Sequence, residues 1–515
     1  MVSLENTKKK RSGNSILRLV LVGISLLFQV IWFLLLGFKL SHYSTLISFL
    51  TNILTLIVVL KLYSKETTSA MKMPWIIVIL SFPVLGLCLF FLIELFGDLG
   101  LKKRMIAAQN RARHNLRSDN TVIQKLEKED PYAANMSRYL TRYGNGPVFQ
   151  NTDVTYYSEA KDAFEAIKEA LEKAESFIFM EYFIVSDGSA FDELEEILVR
   201  KVKQGVEIRL MYDDIGSIGY VNRVFARRLQ AEGINCRVFN PVVPILNLFM
   251  NHRDHRKITV IDGKVGFTGG FNLADEYFDR KHPYGKWKDT GIRLEGEAVH
   301  SLTATFLEIW NGSSKSPEHD EAYFRTEYRI ENAKGFVHPF ADTPLDEEPL
   351  AENIYINLAS CARESLYFIT PYLIITDEME RALGLAAKRG VDVRIITPGI
   401  PDKKTVYAVT RSYYGGLIAQ GVRIFEYSPG FCHAKQCICD GKIVSIGTSN
   451  LDFRSLYHHF ENNVLLYGCD AVGEIARDFA DTFEKCEEVT DRFRPGKKSF
   501  LYVWQCVLRL FAPLM

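Results

Sequence analysis

Hydrophobic and polar positions divide the chain into two unlike parts. Over roughly the first hundred residues they occur in long apolar runs. Leu19–Phe38 reads LVLVGISLLFQVIWFLLLGF, Leu40–Leu60 holds no Lys, Arg, Asp or Glu, and Pro74–Ile93 reads PWIIVILSFPVLGLCLFFLI. About twenty apolar residues span a bilayer as a helix. The pattern thus predicts a membrane region over 1–110 with two or three transmembrane helices. Beyond it, short apolar stretches alternate with helix-like ones. SFIFMEYFIV, GVEIRLMYDD and GINCRVF read as strands, and so, after residue 350, do SLYFITPYLI, GVDVRIITPG and GVRIFEY. Strands alternating with helices predict an α/β sheet domain. The order recurs once, at roughly 180–190 residues, a domain-sized period.

Two α/β repeats are therefore expected, at 111–312 and 351–498. The polar, proline-bearing stretch 313–350 is the natural linker. The tail 499–515 is apolar with one Arg and one Trp, and reads as an interfacial C-terminal helix, with a domain-packing helix as the alternative. Pro241–Met250 is an apolar loop, suited to acyl chains or to plain packing.

Charge and cysteine content narrow the classes. The chain carries 62 basic and 62 acidic residues, which argues against a nucleic-acid binder that relies on overall basicity. Nine cysteines give no disulfide framework and fit a reducing compartment. Basic residues flank the apolar region at Lys8–Arg11 and again at Lys102–Arg104, continued by Arg111, Arg113 and Arg117. The positive-inside tendency then puts the main domain in the cytoplasm.

The candidate chemistry lies in two matched stretches. HRKITVIDGKVGFTGGFN runs from His255 to Asn272, and HAKQCICDGKIVSIGTSN from His433 to Asn450. Each holds His-x-Lys, four residues, then Asp: His255, Lys257 and Asp262; His433, Lys435 and Asp440. Asn272 and Asn450 follow their histidines at the same offset of 17, since 272 − 255 = 450 − 433. On a strand, residues two apart share a face, so each His and Lys can meet one ligand. A Lys ammonium suits a phosphate oxygen, and an Asn amide can donate to another. Two such sets fit around one phosphate, with imidazoles on opposite sides for in-line attack and protonation of the leaving oxygen. Asp262 and Asp440, each in a DGK triplet, complete the candidate catalytic set as turn residues or as supports for the opposite histidine. Glu276 and Glu461 lie beyond each Asn, placed to orient a histidine; for Glu276 an ordinary surface carboxylate is an equal reading. A lysine beside each histidine repels a metal ion, and no further ligand stands at a familiar spacing, so no metal or cofactor is expected.

These residues resemble the phospholipase D superfamily, whose signature is this doubled motif. NHRDHRKITVIDGKVGFTGGFNLADEY, VHPFADTPLD and SIGTSNLDFRS are similar to bacterial-type cardiolipin synthases. The resemblance implies two phospholipase D-like repeats forming one shared active site. It implies transfer of a phosphatidyl group between two phosphatidylglycerol molecules through a phosphohistidine, with glycerol released. It suggests His255 as nucleophile and His433 as acid and then base. Partners would be phosphatidylglycerol and membrane lipid, with no nucleic acid, at the cell membrane. A hydrolytic phospholipase D or another membrane-bound phosphodiesterase of the superfamily is the alternative, and the sequence leaves the oligomeric state open.

Overall fold

A computed structural model describes residues 45–95, 99–144, 146–222, 224–242, 251–346 and 348–494, with isolated positions between 20 and 35 and within 508–514. The run 19–38 and the loop 241–250 lie largely outside the described residues.

Three helices open the described chain: α1 (Thr45–Ser64), α2 (Ser69–Ser81) and α3 (Pro83–Leu95). The run 74–93, expected as one crossing, is therefore two helices. The cause is Pro83, which disfavours helical geometry at the residue before it. Phe82 duly leaves the helix, at φ −137° and ψ 74°. Thirteen residues make about 20 Å of helix, short of the roughly 30 Å hydrocarbon core. The two helices fold into an antiparallel hairpin. Trp75 meets Phe90 edge-on at 6.0 Å, and at Gly86 an added Cβ would lie 2.5 Å from the Ile79 Cα. Among the described residues no helix is long and apolar enough to cross a membrane. Large apolar side chains nonetheless face outward, including Phe49, Leu56 and Leu60 on α1 and Leu80 and Phe82 at the hairpin tip.

The remainder is built on two sheets of one topology. In the first the strand order is 152–157, 291–296, 265–269, 257–261, 177–182, 207–213, 235–239. In the second it is 336–342, 459–467, 443–447, 436–439, 365–369, 392–398, 423–427, 486–488. Strands 177–182 and 365–369 stand at the centre, parallel to one neighbour and antiparallel to the other. Buried on both faces, such strands read as continuous apolar runs rather than alternating ones. Four strands, the ones beginning GVEI, GINC, GVDV and GVRI, follow a glycine at φ 89–101°. That left-handed position ends each preceding helix and sends the chain into the sheet. Amphipathic helices cover the outer face of each sheet, and a shared cluster joins the inner faces. Phe179, Ile258 and Val260 of the first sheet and Ile396, Val444 and Val464 of the second belong to it.

The boundaries differ from the expected ones. Strand 336–342, inside the expected linker 313–350, is the edge strand of the second sheet. Helices 120–129 and 131–143, expected in the first repeat, bury Val122, Leu126, Met136 and Leu140 in the second repeat's core. From the tail, Leu508 and Ala512 enter that core as well, so this part packs against the protein. Polarity misled here: the linker strand is short and flanked by charge, although its own seven residues are all buried.

Candidate active site

The two repeats exchange short strands, and this exchange builds the site. Residues 253–254 pair parallel with 459–460, and 430–432 pair parallel with 286–288. Just beyond each pairing stands a motif histidine. His255 N–H donates to the Phe460 carbonyl at 2.9 Å, and His433 N–H to the Lys288 carbonyl at 2.7 Å. The next residue on each receiving strand is a carboxylate. His255 Nδ1 lies 2.9 and 3.0 Å from the Glu461 oxygens, and His433 Nδ1 lies 2.7 Å from Asp289 Oδ2. Each histidine is thus held at backbone and ring by the other repeat. With Nδ1–H donating to a carboxylate, Nε2 carries the lone pair.

Asp289 is absent from the candidates read off the sequence. Its offset from Asn272 is 17, against 11 from Asn450 to Glu461, so no spacing rule finds it. Strand register does. Gly269 pairs with Gly291 and Gly447 with Asn463, and the carboxylate stands two residues before the partner in both repeats. Gly270 is small for the same reason. A Cβ there would sit 2.1 Å from Asp289 Oδ1 and 3.0 Å from the His433 carbonyl.

The lysines mirror each other. The Lys257 ammonium donates to the carbonyl of His255, and the Lys435 ammonium to that of His433, with Lys435 Nζ also 2.8 Å from His433 Nδ1. All four side chains are buried, as are Asp289 and Glu461. Burial, opposed by Glu461, lowers the Lys257 pKa to about 7, and burial opposed by Asp289 lowers that of Lys435 to about 8. Burial, reinforced by the two lysines, holds both histidines well below the ordinary imidazole value. Burial raises Asp289 to about 7 against the pull of Lys435. Burial thus favours neutral imidazoles and lysines short of full charge, and a bound anion would oppose both tendencies.

The other candidates separate. Asn272 is buried, its Oδ1 accepting from Ile184 N–H at 2.9 Å and its Nδ2 donating to Tyr277 Oη at 2.8 Å. Asn450 is buried, and among the described residues its Oδ1 has no partner. Asp262 and Asp440 do not reach the site. Each sits in a Gly-containing hairpin turn, at φ 54° and 50°, and caps the start of the central strand of its sheet. Asp262 accepts from Glu175, Ser176 and Phe177 N–H at 2.7–2.8 Å, and Asp440 accepts from Arg363, Glu364 and Ser365 N–H. Their expected catalytic place is corrected to a structural one, because the strand carries them to its far end. Glu276 orients no histidine; it accepts from Tyr220 Oη at 3.0 Å.

The surroundings break the symmetry. Trp287 stands 5.5 Å from His433, centroid to centroid, and His459 stands 5.5 Å from His255. Both lie two residues before their carboxylate. Tyr277 and Phe431 also flank His433, while Phe183 packs edge-on to His255 at 4.9 Å. His459 follows a π-helical turn, Arg454–His458, a form often found at functional sites.

Comparison with known proteins shows the family and the fold. Residues 165–310 and 355–485 match the family described as cardiolipin synthase, PLD-like domain, and 50–94 match phospholipase D-nuclease N-terminal. Cardiolipin synthase 2 of Bacillus anthracis is 35% identical over 452 residues, covering 86% of each chain. Cardiolipin synthase of Geobacillus kaustophilus is 32% identical over 481 residues, covering 91% of this chain and 94% of that one. The crystal structure of phosphatidylserine synthase from Haemophilus influenzae shares the fold, with a TM-score of 0.54 at 13% identity over 74% of this chain and 97% of that one.

Proposed function

We infer, for a chain that belongs to the cardiolipin synthase family of phospholipase D-like proteins, that its paired histidines transfer a phosphatidyl group from one phosphatidylglycerol to another. The protein is a phosphatidyltransferase, and the observation that carries the reading of its site is the crossed clamp. Because each motif histidine is oriented by the other repeat's carboxylate, the two motifs make one site for one phosphate.

The phosphodiester would lie between the imidazoles, its non-bridging oxygens facing Lys257 and Lys435, with the amides of Asn272 and Asn450 as further donors. Its negative charge favours protonated lysines and a protonated His433. His255 Nε2 attacks phosphorus, and the bond to the headgroup oxygen breaks as His433 gives that oxygen its proton. Glycerol leaves and a phosphatidyl-histidine remains. A headgroup hydroxyl of a second phosphatidylglycerol then gives its proton to His433 and attacks phosphorus, releasing His255 with cardiolipin bonded. Glu461 and Asp289 keep the tautomers and stabilise each imidazolium as it forms, the role carboxylates play beside catalytic histidines elsewhere.

The outward apolar side chains of α1–α3 support attachment to the cell membrane, with the N-terminal region embedded as a multi-pass or hairpin anchor. The basic flank after it supports a cytoplasmic catalytic core. The deciding experiment is lipid analysis after incubating purified protein with phosphatidylglycerol alone. Cardiolipin plus glycerol is expected. Phosphatidic acid plus glycerol would make the enzyme a hydrolase, and unchanged lipid would refute the reading.

A further inference from the structure

Among the described residues, His255, His459 and Glu461 bring one ligand atom each within 4.8 Å of one another, all three buried. The sequence hides this group. His459 and Glu461 share a strand face two residues apart, but His255 joins them only through the crossed pairing of 253–254 with 459–460. His459 is the informative member. It is 8% exposed, and among the described residues its Nε2 has no hydrogen-bond partner and its Nδ1 none within normal hydrogen-bond distance, Glu461 being the group it faces. Glu461 Oε1 lies 3.8 Å from its Nδ1. Buried polar groups are nearly always satisfied, so an imidazole this poorly partnered beside a carboxylate and a second imidazole is suited to a ligand. The matching position in the other half, Trp287, offers only an indole N–H, so that half cannot form such a group.

We propose that His255, His459 and Glu461 form a binding site for a transition-metal dication of the zinc class, and that its occupancy switches the enzyme off. Two imidazoles and one carboxylate are a known three-ligand set for zinc, leaving a fourth position open. Ligand atoms about 2.0–2.1 Å from a tetrahedral ion stand roughly 3.3 Å apart. Here Nδ1 of His255 lies 2.9 Å and Nδ1 of His459 3.8 Å from the same Glu461 oxygen, so small side-chain rotations would close the set.

Inhibition follows from where the proton goes. Without metal, His255 Nδ1–H donates to Glu461 and Nε2 holds the lone pair. A dication at Nδ1 takes that nitrogen's lone pair, and the neutral ring then carries its hydrogen on Nε2. The nitrogen facing phosphorus becomes an N–H and cannot attack. The ammonium groups of Lys257 and Lys435 stand close and oppose the ion, so binding is weaker than at a dedicated zinc centre and yields to a chelator. The inhibitory half rests on the reading of His255 as the reacting residue; the binding half does not.

The test uses the full-length protein in detergent, stripped with a chelator and dialysed. Cobalt(II) titration should give visible absorption bands of a four- or five-coordinate nitrogen and oxygen site, saturating at one ion per chain. Zinc(II) should inhibit cardiolipin formation, with activity returning on chelation. H459N should lose the cobalt bands and, measured against its own metal-free rate, lose at least tenfold in zinc sensitivity. H459W, which copies the other half, serves as the second variant should H459N fold poorly. Cobalt bands unchanged in either variant, or absent from the native protein, would overturn the site. Bands lost in the variants together with a native enzyme that turns over normally when metal-loaded would overturn the inhibition and point instead to an error in the role given to His255.

Discussion

Replacing Asp289 by Asn should nearly abolish turnover and at the same time stabilise the fold at neutral pH. The swap preserves shape in a spot where Gly270 leaves no room to spare. It removes the charge-assisted hydrogen bond to His433 Nδ1, worth about 1.5–3 kcal/mol, or roughly 10- to 150-fold in rate. It also lets an amide N–H face Nδ1 and hold the wrong tautomer, which in a Ser-His-Asp triad costs about 10⁴-fold. A loss of roughly 10² to 10⁴ in kcat is therefore expected. The stability argument has the opposite sign. Asp289 goes from an ordinary carboxyl value of 3.8 to about 7 in the fold, chiefly through burial. The folded chain then binds more protons than the unfolded one between those values, so its stability falls as pH rises through them. Three units correspond to about 4 kcal/mol lost by pH 7, and about 2–3 kcal/mol of it between pH 5 and pH 7. Asn carries no such loss. Set against the missing hydrogen bond, the variant should roughly match the native protein near pH 5 and exceed it by about 1–2 kcal/mol at pH 7. Melting in detergent across pH 5–7.5, paired with radiolabelled phosphatidylglycerol turnover, reads both. Turnover within threefold of native, or a stability difference flat with pH, would refute the account.

Further outcomes follow from the same geometry. H255A and H433A should each remove nearly all activity, with the double variant little worse, because residues acting as a unit are non-additive; half-activity in either would mean two independent sites. E461Q should lower turnover by at least about 10²-fold while E276Q stays within about twofold, since only Glu461 touches a histidine; equal effects would contradict the clamp. D262A leaves three backbone N–H groups without their acceptor, at about 1–3 kcal/mol for an unsatisfied donor, so it should lower the melting temperature and yield before it alters the KM of surviving enzyme. Binding of inorganic phosphate or tungstate should take up protons near pH 7, because Lys257 sits at about 7 and both histidines well below their usual value; calorimetry in buffers of different ionisation enthalpy would show it, and buffer-independent heats would not fit.

Much of this was legible in the sequence. The doubled motif, the alternation of strands and helices and the matched Asn positions are local patterns, set by side-chain period and turn chemistry. The Gly-led strands and the Asp-Gly turns at 262–263 and 440–441 are local as well. What escaped was whatever depends on partners distant in the chain. Asp289 looks like any strand-flanking acid until register places it against His433. Glu276 looks like Glu461 until the fold turns it toward Tyr220. Helices 120–129 and 131–143 are amphipathic in either repeat, and nothing in their own residues says which core receives them. The break in the third apolar run was visible in Pro83, but the length of the run outweighed it. Asp262 and Asp440 were read correctly as turn residues; their place among the catalytic groups came from the motif alone.

The crossed clamp also sets a schedule for synthesis. His255 waits for a partner 206 residues further on, whereas the partner of His433 precedes it by 144. At 5–20 residues per second, roughly 10–40 s pass between the appearance of His255 and that of Glu461. Through most of that interval the first repeat has its motif, its sheet and Lys257, but no oriented imidazole. A chain released early, or clipped ahead of residue 459, can reach the bilayer without attacking its lipids. Turnover thus reports that the whole polypeptide has been made and closed, and a nascent chain stays inert beside a vast excess of substrate.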